Sequence, residues 1–114
     1  MINDKRSFED FCYLVTSIIG QHINAHVILA ETQNDEKQII IDGKTSRCKL
    51  NIELDQETLM SWYNGHYCGI DLAEGKGDNL YKFFWYYTVQ PHICNIIAEL
   101  TGTEMFVLEC RLFI

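Results

Sequence analysis

Four histidines and five cysteines (12, 48, 68, 94 and 110) are the side chains best equipped for chemistry in this 114-residue sequence. His66-Tyr67-Cys68 and His92-Ile93-Cys94 repeat a His-x-Cys pattern, and two such pairs could supply four zinc ligands. The one-residue gap is shorter than the usual ligand spacing, and within a helix residues i and i+2 point apart. His22 and His26 have the i, i+4 spacing of a helical metal pair but lack the glutamate of a metalloprotease motif. Among the thiols, Cys68 alone sits at a loop mouth, between His66 and Gly69 with Asp71 nearby. The other four fall on apolar faces, where a cysteine is an inert core residue. Gly75-Lys76-Gly77-Asp78 lacks the full phosphate-loop pattern, and Glu74 and Asp78 would repel a phosphate. No catalytic residue, cofactor site or metal site is expected.

Charge is more informative. Nine basic and 16 acidic side chains give a formal net charge of −7. That balance disfavours binding to nucleic acid or to an anionic membrane, because phosphates are repelled before contact. Residues 1–36 carry two bases and six acids, a net of −4. Residues 37–50 carry Lys37, Lys44, Arg47 and Lys49 against Asp42, a net of +3. Residues 51–81 carry Glu53, Asp55, Glu57, Asp71, Glu74 and Asp78 against Lys76, a net of −5, and the remaining residues contribute −1. The −5 stretch also holds Trp62, Tyr63, His66 and Tyr67. Aromatic anchors rimmed by carboxylates make a recognition surface for a basic protein, the rings supplying buried contact and the acids steering. A solvated acidic face is the simpler alternative.

The elements that must position these residues follow from periodicity. Ser7 begins a helix with Phe8, Phe11, Val15, Ile18 and Ile19 on one face and Gly20 as its stop. Val27–Leu29, Gln38–Ile41 and Arg47–Leu54 read as a three-stranded meander with turns at 33–36 and Asp42-Gly43. Asp55 caps a second helix that ends at Gly65, with Leu59, Met60 and Tyr63 inward and Trp62 partly outside the core. The aromatic run Tyr81–Val89 has strand propensity, although a buried helix would look much the same. Pro91 opens a third helix at a first-turn position, ending at Gly102, and Met105–Ile114 alternates as a last strand. The expected fold is one α+β domain over residues 1–114. It has a mainly antiparallel sheet of about five strands and three helices on one face.

The N-terminal residues show no apolar signal segment, and five unpaired-looking cysteines suit reduced thiols, so a cytoplasmic location is expected. Size, acidity and the lack of catalytic machinery point to a small protein-binding module, monomeric or weakly dimeric, that neutralises a basic partner. Its role would be that of an immunity protein or antitoxin against a nuclease-like bacterial toxin. The alternative is a small enzyme or ligand-binding domain. Its pocket would be walled by Trp62, Tyr67, Tyr81, Trp85 and Tyr86, with His66, Cys68 or His92 as polar groups.

Overall fold

The structure, a computed structural model, describes residues 5–44, 49–67 and 82–101. Its first element, helix α1 (Lys5–His22), buries Phe8, Phe11, Cys12, Val15, Ile18 and Ile19, which is the apolar stripe read from the sequence. The helix does not stop at Gly20. The Ile23 amide still donates to the Ile19 carbonyl at 3.0 Å, and Ile23 is buried, so core packing carries the chain past the glycine. A methyl group at Gly20 would meet nothing within 4 Å.

Strands β1 (His26–Glu31), β2 (Lys37–Lys44) and β3 (Lys49–Leu54) form one antiparallel sheet in the order β1-β2-β3. Their registers set Val27–Ile41–Ile52 and Leu29–Ile39–Leu54 in rows on the inner face. Ile39, Ile41, Leu50, Ile52 and Leu54 are buried there; α1 packs over β1 and β2, and the helix over Gln90–Thr101 packs against β3. The outer face carries the rows His26–Asp42–Asn51 and Ile28–Ile40–Glu53. Asp42-Gly43 does not turn the chain. Both residues belong to β2, and the Asn51 amide donates to the Asp42 carboxylate at 2.6 Å across the strands. The turn between β1 and β2 is closed by the Thr32 amide donating to the Glu36 carbonyl at 2.9 Å. Asp35 sits there at φ 62, a left-handed conformation that aspartate tolerates better than most residues.

Helix α2 (Gln56–Trp62) runs into a π-helical turn, Tyr63–Tyr67, so Gly65 lies inside the helical path and does not end it. The aromatic run is helical as well. Residues 82–84 are α-helical, Trp85–Val89 forms a second π-helical turn, and helix α3 (Gln90–Thr101) continues from it. A strand would bury alternate residues. Here Phe84, Trp85, Val89, Gln90, Ile93 and Ile97 are buried, while Phe83, Tyr86 and Tyr87 face outward. The wide turn has a local cause. Pro91 has no amide to offer an i−4 carbonyl, and the Gln90 amide donates to Trp85, five residues back.

The described residues therefore form three antiparallel strands and three helices, an α+β arrangement, and not a sheet of about five strands. The expected strand at 81–89 is overturned by its helical path, and the one at 105–114 lies outside the described residues. No helix among the described residues is long and apolar enough to cross a membrane.

Gly20 supplies the first test. Because it is exposed, helical and sterically open, Gly20→Ala should raise stability by about 0.5–1 kcal/mol through the alanine's smaller entropic cost. Urea denaturation checks this, and an unchanged or lower midpoint would mean that the helix frays before residue 20.

Candidate functional site

The sheet ends carry opposite charge, and one lysine organises the acidic end. Lys37 begins β2 on the inner-face row, opposite Glu31 of β1. Its ammonium donates to Glu9 of α1 at 2.8 Å and to Glu31 at 2.9 Å, and its side chain is only 13% exposed. Its backbone amide donates to the Gln56 side-chain oxygen at 2.6 Å, which ties the β1–β2 turn to the first turn of α2. The two hydrogen-bonded carboxylates hold the Lys37 pKa well above the usual lysine value. Its charge is consumed inside the structure, so Lys37 does not act as part of a basic hairpin surface.

Around it lie seven described carboxylates: Glu9, Glu31, Asp35, Glu36, Glu53, Asp55 and Glu57. Glu53 is exposed near the end of β3 and accepts from the Gln38 amide at 2.9 Å. Asp55 occupies the N-cap of α2, and its carboxylate accepts the Thr58 amide at 2.9 Å. That backbone bond to Thr58 is the main reason its pKa is lowered. Glu57 is exposed in the first turn of α2. Asp35 and Glu36 reach this corner because Lys37, the next residue, is bonded to Gln56. Strand register is the signal that would have found them: Ile39 opposite Leu54 places residue 37 level with residue 56.

The opposite end is basic. Lys44 and Lys49 are paired directly across β2 and β3, an arrangement that costs stability through like-charge repulsion. Seven residues of strand from Lys37 to Lys44 span about 23 Å. This exceeds the screening length of about 8 Å in physiological salt, so the two ends present independent fields.

Of the expected aromatic anchors, Trp62 and Tyr63 belong to the core and not to the exposed surface of the acidic corner. Trp62 and Tyr63 are buried, at 8% and 4% exposure, which corrects the expectation that Trp62 lies partly outside the core. The physical reason is aromatic packing. Trp62 meets Phe84 and His92 edge-on at 5.9 and 5.4 Å, and Tyr63 meets Phe8 and Phe11 edge-on at 5.5 Å each. His66 and Tyr67 belong to the π-helical turn, but their side chains are outside the described set, as are Asp71, Glu74 and Asp78. Of the aromatic walls considered for a pocket, Trp62 and Trp85 pack into the core while Tyr86 is 48% exposed on the outside. These three do not converge on one space. Tyr67, Tyr81, His66 and Cys68 give no description to set beside them.

The metal and thiol candidates sort in the same way. Among the described residues no group of three or more His, Cys, Asp or Glu side chains could hold a metal ion. His22 ends α1 and stacks on Trp85 at 4.6 Å, while His26 begins β1, so the two are not a helical pair. Burial, with Lys82 nearby, lowers the His22 pKa. Cys12 is fully buried, and desolvation pushes its thiol up to about 12, which leaves it unreactive at neutral pH. Cys94 is disulfide-bonded, contrary to the expectation of reduced thiols throughout.

Comparison with protein-family models, with curated proteins and with solved structures gives no match.

The Asp55 cap gives a test of how firmly the corner is built. Asp55→Ala should cost about 1 kcal/mol and Asp55→Asn less, since asparagine also caps. Because the folded pKa is lowered, this stabilisation is present above the unfolded value of about 3.9 and is lost as pH falls through the folded value. Thermal melts of wild type and Asp55→Ala between neutral and acidic pH check it. The gap should close at the acidic end.

Proposed function

We propose that this protein is a small acidic binding module that neutralises a basic protein partner. In its sharper form the module is an immunity- or antitoxin-type inhibitor of a nuclease-like toxin. The observation that carries the reading is the acidic corner. Glu53, Asp55 and Glu57 are exposed within five residues on two rigid elements, and Asp35 and Glu36 are drawn beside them. Glu53 and Asp55 are fixed by hydrogen bonds to Gln38 and Thr58, so a partner's lysines and arginines would meet carboxylates already in place.

In this reading the corner occupies the partner's cationic cleft, where a nuclease otherwise grips the phosphate backbone. The carboxylates take the place of the phosphates there, and the field of the acidic end raises the rate of encounter. Asp71, Glu74 and Asp78 extend the same acidic stretch of sequence, and Trp62 and Tyr63 support it from within the core. Neither a nucleic acid nor a membrane is a suitable ligand for such a surface. The cytoplasm is the proposed location, because an inhibitor of this kind must meet its toxin where the toxin is made. The disulfide at Cys94 removes cysteine usage as support for that compartment.

The test is affinity capture with the immobilised chain, comparing wild type with a Glu53→Gln, Asp55→Asn, Glu57→Gln variant, each eluted by rising salt. A basic protein that wild type retains, that salt releases and that the variant loses is the expected outcome. Recovery of no basic protein, or equal retention by both, would overturn the reading.

A further inference from the structure

The helices pack on the inner face of the sheet, and the middle of its outer face is open to solvent, where Ile28 is 40% exposed. Strand propensity alone accounts for one exposed isoleucine. Here the register sets Ile28 directly opposite Ile40, which is half-buried, so two branched side chains form one apolar step. Carboxylates stand on two sides of it. Glu53 of β3 completes the same row, and Asp42 occupies the next row on β2. Both are exposed, and each is held by an amide on this face. Gln38 donates to Glu53 at 2.9 Å, and Asn51 donates to Asp42 at 2.6 Å. Further along, the exposed pair Lys44 and Lys49 bounds the face, about 13 Å from Ile40 along the strand.

We propose that this outer face, centred on Ile28 and Ile40, is the apolar half of the contact with the basic partner. It rests on the reading of the acidic corner as that partner's site. Glu53 belongs to both surfaces, so one footprint runs from the first turn of α2 onto the sheet. Protein interfaces join an apolar centre to a polar rim. The corner by itself supplies only the rim, because Trp62 and Tyr63 are packed into the core. The isoleucine step supplies the centre. Charge selects the occupant. A side chain resting on Ile28 and Ile40 is flanked by Glu53 and Asp42, so the complementary surface is an apolar side chain set between lysines or arginines. Both carboxylates are already hydrogen-bonded in place, and little ordering is lost when such a surface docks. Lys44 and Lys49 repel the same cations, which fixes the partner's direction: its basic groups lie toward the corner and away from the lysine end.

Substitution at Ile28 separates this contact from the corner. The probe is the basic protein that the immobilised wild type retains from its native source and the Glu53, Asp55, Glu57 variant loses, purified and titrated by calorimetry. Ile28→Glu makes the chain more acidic, which through the long-range field alone would strengthen attraction to that protein. Burial of the new carboxylate against an apolar side chain should instead weaken binding at least about tenfold. Ile28→Thr keeps strand propensity and adds no charge. It should weaken binding about three- to tenfold, by the same factor at low and high salt, whereas the loss caused by the corner variant shrinks as salt rises. Tyr13→Glu is the control. Tyr13 is 60% exposed on α1, which lies across the inner face, so its binding should be unchanged or tighter. Binding by Ile28→Glu or Ile28→Thr as tight as wild type would overturn this contact and leave the corner reading standing. Retention of no basic protein by wild type would overturn the corner reading and this contact together.

Discussion

Lys37 is the constraint on which the acidic end of this structure depends. Two carboxylates brought to about 4 Å repel by about 4 kcal/mol at the effective dielectric of a protein surface. Glu9 and Glu31 converge on one point from different elements, and a single ammonium between them turns that repulsion into attachment. Its backbone amide holds Gln56 at the same time. One residue therefore fixes α1, β1 and α2 against the start of β2. The remaining carboxylates of the corner inherit their positions from this joint and leave their charge for solvent or a partner.

Beneath the joint, aromatic packing decides which surfaces remain. Phe8, Phe11, Trp62, Tyr63 and Phe84 meet edge-to-face at the centre of the molecule. The two π-helical turns let α2 and α3 deliver these rings inward while Phe83, Tyr86 and Tyr87 stay outside. Trp62 and Tyr63, which the sequence sets beside Glu53, Asp55 and Glu57, are thereby taken into the core, while those three carboxylates stay exposed.

Features set by neighbours in sequence were legible before the structure. The apolar stripe of α1, the alternation of Leu50, Ile52 and Leu54, and the Asp55 cap each follow from local spacing. Features decided by distant contacts were not. Gly20 lies inside its helix because Ile23 is pulled into the core, and Asp42-Gly43 stays in β2 because Asn51 pairs with it. The run Tyr81–Val89 has the composition of a strand, and only the burial of Phe84, Trp85 and Val89 around a helix overrides it. Trp62 could not be placed from its own helix, since its partners Phe84 and His92 come from another part of the chain. For the candidate site, summed charge located the carboxylates of residues 51–57. It misassigned Lys37, whose charge is neutralised by residues far away in sequence.

The most direct measurement is the stability of Lys37→Met against wild type by urea denaturation as a function of pH. Methionine keeps the length and the apolar stem of the side chain while removing the charge. At neutral pH the variant should be less stable by about 1–2 kcal/mol, between the values for an exposed ion pair and for a hydrogen bond to a charged group. Because the folded Lys37 pKa is raised, that difference should be fully present below the unfolded value of about 10.4 and shrink as pH rises through the folded one. Equal stability at neutral pH would contradict the account, because the acidic end would then be held together without the lysine.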